Sequence, residues 1–99
     1  MNQVIETMTT RRSVRSYKPD MPDQDVLDEI LKAGTYAPTG MGGQSPIIVA
    51  VTDKETRDKL SRMNASVMGN DADPFYGAPV VLVVLADKNR PTYLYDGSL

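Results

Sequence analysis

The sequence contains neither cysteine nor histidine. Without cysteine, the chain has no disulfide, no thiolate nucleophile and no zinc–thiolate site. Without histidine, it lacks the side chain that most often transfers protons near neutral pH, so this chain alone cannot form a Ser–His or Cys–His catalytic pair. The acidic residues show no metal-binding spacing, and we predict neither a catalytic side chain nor a metal ligand. If the protein is an enzyme, we expect a cofactor to carry its chemistry.

Long apolar segments are also missing. No apolar run approaches the roughly 20 residues that span a bilayer, and the first residues do not have the basic-then-apolar layout of a signal peptide. These absences predict no membrane association and a cytoplasmic location. The 99 residues suffice for one small domain. A domain of this length buries about two thirds or less of its unfolded surface, so we expect a partner chain to matter for its stability.

Positive charge is concentrated in one short segment. The net charge of the chain is −2, but all four charged residues between Thr9 and Lys18 are positive, which leaves −6 for the rest. A basic cluster on an otherwise acidic chain indicates a specific anion site. A nucleic-acid-binding surface is usually basic over a wider area, so we do not expect a nucleic-acid partner.

Hydrophobic periodicity predicts helices and strands in alternation. We expect helices over Asn2–Met8, over Asp23–Tyr36, and from a capping box at Thr52–Glu55 to about Val67, with a further helix beginning at Thr92 or Tyr93. Strands are predicted over Ile47–Val51 and Pro79–Ala86. Both strands are apolar throughout, so we expect helices to cover both of their faces. The few helices available predict that the chain is part of a longer fold.

The basic segment Arg11-Arg12-Ser13-Val14-Arg15 is the first candidate site. Guanidinium groups match phosphate oxygens with paired charge-assisted hydrogen bonds. In an extended segment Arg11, Ser13 and Arg15 would share one face, and Arg12 would point elsewhere. The functional interpretation is a phosphate clamp. The alternative is a solvated basic loop, or arginines that pair with the chain's own carboxylates.

The second candidate is the glycine-rich loop from Ala37 to Pro46. Glycines let a backbone approach a planar ring or a phosphate closely, and Gln44 offers both a donor and an acceptor. The alternative is an ordinary flexible helix-to-strand connection. Two weaker candidates are the aromatic segment Phe75–Pro79, for which core packing is the alternative, and Asn64, for which a solvent-facing position is the alternative.

Taken together and in order, these segments resemble the nitroreductase family. The resemblance rests on four groups of residues and covers essentially the whole chain. They are Arg11–Tyr17, Ala37–Gly40 with Gln44–Pro46, Tyr76–Val81, and Asp96–Leu99 at the opening of a further helix.

The resemblance implies an α+β fold of the nitroreductase-like α-β-α sandwich type, of which residues 1–99 would form the N-terminal portion of a single domain. It also implies an intertwined homodimer with FMN at the interface. Electrons would pass from NAD(P)H to FMN and then to a nitroaromatic, a quinone or a similar acceptor. The implied FMN-binding residues are Arg11, Arg12, Ser13 and Arg15 for the phosphate and ribityl groups, Pro38, Thr39, Gly40 and Gln44 from the other subunit, and Asn64.

Two departures from the family pattern keep alternatives open. Gly42 stands where many members carry an asparagine, and members are usually much longer, with a second half that supplies an interface helix and further FMN contacts. A truncated or non-catalytic flavin- or nucleotide-binding fragment is therefore the second hypothesis. A small anion- or nucleic-acid-binding domain is the third.

Overall fold

The computed structural model of the chain describes residues 2–99. In chain order its elements are α1 (Gln3–Thr10), α2 (Gln24–Thr35), a 3₁₀ turn (Gly40–Gly42), β1 (Ile47–Val51), α3 (Lys54–Met68), β2 (Val81–Leu85) and α4 (Tyr93–Ser98). The predicted order of elements is confirmed, and helices combined with an antiparallel strand pair belong to the α+β class. Across this described range, no helix is both long and apolar enough to cross a membrane.

Helix α1 continues two residues past the predicted end at Met8. It starts one residue later than predicted, because Asn2 is the N-cap, whose side chain accepts a hydrogen bond from the Ile5 N–H at 2.9 Å. The hydroxyls of Thr9 and Thr10 donate to backbone carbonyls one turn earlier, at 2.9 and 2.7 Å. These bonds accommodate both threonines in the last turn of the helix, where the sequence had suggested that they end it.

Helix α3 begins one residue later than the predicted capping box implied. Asp53, and not Thr52, is the N-cap, because its carboxylate accepts hydrogen bonds from the Thr56 N–H at 3.0 Å and the Thr56 hydroxyl at 2.7 Å. These two bonds lower the pKa of Asp53. At the other end Gly69 adopts φ +79°, a left-handed conformation that glycine adopts without strain, and closes the helix.

Strands β1 and β2 pair antiparallel, with Ile47 opposite Leu85 and Val51 opposite Val81. The predicted bounds of β1 are confirmed. β2 is shorter at both ends than predicted, and it starts two residues after Pro79, which has no N–H to donate to a ladder. The expectation that both faces are covered is wrong for these residues. Side chains such as Val49 and Val84 remain 43% and 48% exposed, because the helices described here shield only part of the sheet.

The apolar core is small for a chain of this length. Leu27, Val51 and Ala65 are its buried hydrophobic residues. On the predicted apolar face of α2 only Leu27 is buried, while Val26 and Ile30 are about half exposed. The accessible surface is 8109 Å², whereas a compact monomer of this mass would expose about 5,600 Å². The radius of gyration of 15.6 Å likewise exceeds the roughly 13 Å of a compact 100-residue domain. Polar contacts therefore have a large share in orienting the segments.

The strongest of these polar contacts joins α3 to the segment that precedes β2. Arg57 is buried, and its Nε donates to the Ala78 carbonyl at 2.8 Å. Its Nη2 donates to the carboxylate of Asp73 in an ion pair. The same guanidinium lies 5.5 Å from the centre of the Phe75 ring, within the range of a cation–π contact. A single side chain thus fixes three points of the segment from Asp73 to Ala78.

The carboxylate of Asp73 organises the rest of that segment. It accepts hydrogen bonds from the Ser61 hydroxyl at 2.8 Å, the Phe75 N–H at 3.1 Å and the Gly77 N–H at 2.8 Å. Burial alone would raise the pKa of Asp73, but the hydrogen bonds from Arg57 and these three donors outweigh it and bring the pKa well below its usual range. The folded protein therefore favours the ionised form of Asp73.

We predict that Asp73→Asn lowers the free energy of unfolding by about 2 kcal/mol at pH 7, because it removes one partner of a buried ion pair whose carboxylate is still partly solvated. The pKa of Asp73 is lower in the folded than in the unfolded protein, where it is near 3.8. The stabilisation is therefore present above that pH and is lost as the pH falls below it. Urea unfolding at several pH values should show the wild-type and Asp73→Asn curves converging in acid.

Asp71→Asn is the matched control, because Asp71 is an exposed aspartate two residues away. We expect it to change the unfolding free energy little at any pH. A constant difference between wild type and Asp73→Asn from pH 7 down to pH 2 would contradict the role assigned to the ionised carboxylate.

Candidate functional site

The basic segment follows α1 directly and lies on the surface. Residues 11–18 form no helix or strand, and all of them are exposed. Arg11 is the C-cap of α1, with extended backbone angles of φ −58° and ψ 150°. The Nη1 atom of Arg12 turns back to the helix end, where it donates to the carbonyl of Arg11 at 2.8 Å and more weakly to that of Thr9 at 3.4 Å. A cation at this position also complements the negative end of the helix dipole.

The arginines of this segment are not engaged by acidic side chains of the described chain. Between residues 2 and 99 the ion pairs are Lys54–Asp58, Arg57–Asp58 and Arg57–Asp73, so none involves Arg11, Arg12 or Arg15. The alternative that these arginines pair with the chain's own carboxylates therefore does not hold for the described residues. Arg11 and Arg15 are exposed and their guanidinium groups make no hydrogen bond within residues 2–99, so they remain able to bind an anion.

One fixed point joins this segment to the rest of the fold. The N–H of Tyr17 donates to the Tyr76 carbonyl at 3.2 Å. Tyr76 belongs to the segment that Asp73 and Arg57 hold, and it has a positive φ of 54° between Phe75 and Gly77. Phe75, the first residue of the predicted aromatic candidate, packs against Arg57. Tyr17, Phe75 and Tyr76 also line a shallow groove beside the basic segment.

The glycine-rich loop is held by hydrogen bonds within itself and to α4. The Gln44 N–H donates to the Thr39 hydroxyl at 3.0 Å, and the Gly40 N–H donates to Oδ1 of Asp96 at 2.8 Å. Met41 and Gln44 both adopt positive φ, at 56° and 51°, which is uncommon for residues with a side chain. The surrounding contacts therefore fix a strained loop conformation, a pattern that is frequent at ligand-binding sites.

Gly40 is required by the way this loop meets α4. A Cβ atom at position 40 would lie 2.2 Å from the Thr92 hydroxyl oxygen and within 2.8 Å of the Thr92 side-chain carbons. Gly43 is less constrained, because a Cβ there would meet the flexible end of Arg90 at 3.2 Å and the Gly40 carbonyl oxygen at an ordinary contact distance of 3.5 Å. The loop thus lies directly on Thr92, and its closest point of approach is Gly40.

This arrangement limits what each predicted residue can offer a ligand. The N–H of Gly40 is already used by Asp96, so Gly40 contributes close packing and not a free donor. Within residues 2–99 the side-chain amide of Gln44 makes no hydrogen bond, and the hydroxyl of Thr39 only accepts one. The hydroxyl proton of Thr39 and the amide of Gln44 are therefore the groups of this loop best able to bind a polar ligand.

Thr39 and Gln44 share a cavity of about 640 Å³ between the loop, α2, α4 and the sheet. Its walls are mostly apolar, and Asp96 is their acidic member. The lining residues are Leu31, Gly34, Thr35, Ala37, Thr39, Gln44, Pro46, Ile47, Ile48, Val84, Asp96, Gly97 and Leu99. Arg11, Arg12, Ser13 and Arg15 do not contribute to this cavity.

Asn64 also lies apart from this cavity. It is exposed on α3 and lines a groove between α3 and β2 together with Met63, Val67 and Leu82. Pro38 is exposed beside Thr39. Within one chain, therefore, the candidate FMN-binding residues fall into three separate groups, namely the basic segment, the glycine-rich loop and Asn64.

Sequence reasoning did not identify Asp96, Asp73 or Arg57 as residues that shape these segments. The available signal was spacing. Asp96 on α4 lies four residues after Thr92, the N-cap of that helix, and Ser61 lies four residues after Arg57 on α3. Their partners lie up to 56 residues away in the chain. Such pairings become visible only once the helices are placed.

Comparison with known proteins identifies the family to which this arrangement belongs. A profile of the nitroreductase family matches residues 8–72, a range that includes the basic segment, the glycine-rich loop, β1 and α3. The chain belongs to the nitroreductase family. The match confirms the resemblance inferred from the sequence.

Relatives of this nitroreductase-family chain support the same assignment. It is 38% identical over 90 residues to an FMN reductase [NAD(P)H] of Bacillus subtilis (strain 168), an alignment that covers 91% of this chain and 34% of that protein.

Among solved structures, the chain resembles nitroreductases with bound FMN from Bacteroides fragilis NCTC 9343 and Desulfitobacterium hafniense DCB-2. The TM-scores are 0.87 and 0.86, the identities 27% and 26%, and each comparison covers 99% of this chain. These likenesses confirm the predicted nitroreductase-like fold. The chain spans 59% and 60% of those two chains.

We predict that Gly40→Ala displaces the glycine-rich loop, because the new methyl group cannot fit against Thr92 and the Gly40–Asp96 hydrogen bond must lengthen. Loss of that bond to a buried carboxylate should lower the free energy of unfolding by about 2 kcal/mol. Urea unfolding measures this change.

Gly43→Ala is the control, since only the mobile end of Arg90 has to move. It should leave the unfolding free energy within about 0.5 kcal/mol of wild type. Equal effects of the two substitutions would argue against the specific packing of Gly40 on Thr92.

Proposed function

We propose that this chain provides FMN-binding elements of an FMN-dependent oxidoreductase that uses NAD(P)H. One observation carries the proposal. In a member of the nitroreductase family, the exposed basic segment keeps its guanidinium groups free of carboxylate partners within the described residues. The names of the relatives, which include an FMN reductase [NAD(P)H] and nitroreductases with bound FMN, support the same cofactor and electron donor.

The residues of the basic segment fit a phosphate monoester. Arg11 and Arg15 each offer a planar fork of N–H donors, and the Ser13 hydroxyl adds a short donor between them. The Nη1 atom of Arg12 donates to the Arg11 carbonyl at the end of α1. Arg12 therefore adds its charge to the positive potential of the segment, while Arg11 and Arg15 keep their own donors for the phosphate. In our proposal Arg11, Arg12, Ser13 and Arg15 hold the phosphate and ribityl groups.

The glycine-rich loop fits the other end of such a cofactor. Gly40 packs closely against Thr92, Pro38 is exposed next to Thr39, and Thr39 and Gln44 keep polar groups available beside an apolar cavity. A flavin ring has an apolar body with hydrogen-bonding edges, which matches this combination. We propose that Pro38, Thr39, Gly40 and Gln44 approach the flavin of the partner subunit, and that Asn64 contributes a further FMN contact. Gly42 adds no side chain here.

The division of labour follows from the composition. FMN, when bound, supplies the redox chemistry by accepting electrons from NAD(P)H and passing them to a nitroaromatic, a quinone or a similar acceptor. The chain itself, which has no histidine or cysteine, binds and orients the cofactor and leaves an apolar space beside it. A planar aromatic acceptor suits such a space better than a charged one.

A homodimer is part of the proposal. The chain exposes about 2,500 Å² more surface than a compact monomer of its mass. Obligate dimers bury about 2,000–5,000 Å² in total, so an excess of this size on each chain is sufficient for a large interface. Much of it is apolar, as at Val4, Ile5 and Met8 on α1. A single domain and a cytoplasmic location stay predictions from the sequence.

We predict that the protein binds FMN more tightly than riboflavin, because only FMN carries the phosphate. The double variant Arg11→Ala/Arg15→Ala should weaken FMN binding by at least about tenfold, since a hydrogen bond to a charged group contributes about 1.5–3 kcal/mol. It should leave riboflavin binding nearly unchanged. Flavin fluorescence titration measures both affinities.

Arg62→Ala serves as control, because it removes one exposed positive charge from α3. It should preserve the preference for FMN over riboflavin. Equal affinity of the wild type for the two flavins would contradict the phosphate clamp. FMN binding without NAD(P)H oxidation would instead select a non-catalytic flavin-binding fragment, and salt-dependent DNA binding without flavin binding would select the nucleic-acid hypothesis.

A further inference from the structure

We propose that Asp96 is a positioning residue, whose buried carboxylate holds the glycine-rich loop in the conformation that presents Thr39 and Gln44. The inference rests on the proposed function insofar as it concerns flavin. Its structural content, the dependence of the loop on Asp96, can be tested without any ligand.

The environment of Asp96 is unusual for an aspartate. Its residue is only 7% exposed, and no lysine or arginine of residues 2–99 pairs with it. A buried carboxylate without a cation is costly unless hydrogen bonds satisfy its oxygens. Here Oδ1 accepts from the Gly40 N–H and Oδ2 accepts from the Thr92 hydroxyl, both at 2.8 Å. One of the two hydrogen bonds that the Asp96 carboxylate accepts thus comes from the loop.

The bond from Gly40 fixes the loop at its first turn. Gly40 cannot move toward α4, because Thr92 fills the space next to it. It cannot move away without breaking its bond to Asp96. Attraction by Asp96 and exclusion by Thr92 therefore act in opposite directions on one backbone position.

The position of Gly40 determines the backbone positions of Thr39 and Gln44, the two residues proposed to face the ligand. Thr39 precedes it directly, and the Gly43 N–H donates to the Gly40 carbonyl at 3.2 Å. The Gln44 N–H then returns to the Thr39 hydroxyl at 3.0 Å, which closes the loop on itself. Asp96 acts through Gly40 on this closed set of bonds and thereby fixes the backbone from which the Thr39 hydroxyl and the side-chain amide of Gln44 project.

Asp96→Ala and Asp96→Asn separate this role from a general contribution to stability. Alanine removes both acceptors. Asparagine keeps the shape and can accept from the Gly40 N–H with its oxygen, while its amide donates to the Thr92 hydroxyl. Asp71→Ala is the control for loss of one negative charge at an exposed site.

The first readout is the hydrogen-exchange rate of the Gly40 amide, measured by NMR in the protein without ligand. We expect at least about tenfold faster exchange in Asp96→Ala. Exchange in Asp96→Asn and Asp71→Ala should stay near the wild-type rate, and so should exchange of the paired amides of β1 and β2 in all variants. Unchanged Gly40 exchange in Asp96→Ala would overturn the inference. Uniform acceleration throughout the sheet would also overturn it, since that would indicate a loss of global stability.

The second readout is flavin affinity. If Asp96 positions groups that meet the flavin ring, Asp96→Ala should weaken the binding of FMN and of riboflavin by a similar factor, about fivefold to tenfold. The ratio of the two affinities should stay unchanged. Asp96→Asn should restore both affinities. A change in the FMN-to-riboflavin ratio would instead assign Asp96 to the phosphate end and overturn the proposal.

Two further outcomes have a defined meaning. If the wild type binds neither flavin, the proposed function fails, and Gly40 exchange alone decides whether Asp96 positions the loop. If Asp96→Ala does not fold, Thr92→Val takes its place, because it replaces the hydroxyl that donates to Asp96 with a methyl group of similar size. It should accelerate Gly40 exchange to a smaller extent, and no acceleration would overturn the inference.

Discussion

The ion pair between Arg57 and Asp73 holds together parts of the chain that little apolar burial connects. Arg57 lies on α3, while Asp73 opens the segment that leads into β2. Their contact, extended by Ser61 and by the N–H groups of Phe75 and Gly77, gives that segment one conformation. The carbonyl of Tyr76 is thereby held in place and accepts a hydrogen bond from the N–H of Tyr17, two residues after the basic segment. A polar cluster thus links α3 to a surface segment with no regular structure of its own.

The small core explains why such contacts matter here. A buried Val or Leu side chain stabilises a fold by about 1.5–3 kcal/mol, and the described chain buries only Leu27, Val51 and the smaller Ala65. The excess accessible surface shows that many apolar side chains have no covering within it. The chain spans 59% and 60% of the two solved relatives, so those proteins are longer chains. In this family member the described residues form a scaffold whose loops are ordered mainly by hydrogen bonds.

Two aspartates have parallel roles in that scaffold. Asp73 organises the segment that holds the basic run, and Asp96 accepts from the glycine-rich loop. Asp73 satisfies two backbone N–H groups and Asp96 satisfies one, and each leaves side-chain donors of the neighbouring candidate segment unoccupied. The proposed binding groups are therefore free to meet a ligand, because other residues make the hydrogen bonds that order the backbone. Binding groups ordered in advance lose less entropy when a ligand arrives.

The sequence by itself determined most of the secondary structure and the family. Apolar runs and helix signals located β1, α2 and α3 to within a residue or two, because their local propensities agree with the final fold. Errors at the ends of α1 and α3 came from side-chain hydrogen bonds of Thr9, Thr10 and Asp53, which local patterns indicate only weakly. The basic segment and the glycine-rich loop were visible as motifs, since their residue types already carry the chemistry of anion and ring binding.

Only the tertiary structure decided how these motifs are held and which of their groups are free. The bond between Gly40 and Asp96 joins residues 56 positions apart, and the contacts of Arg57 reach 16 and 21 positions along the chain. No periodicity encodes such pairs, because they depend on where the helices lie relative to one another. The exposure of the strands was likewise undecidable from their apolar sequences. Burial depends on the surface that neighbouring segments provide, and an apolar run indicates only that a strand requires such cover.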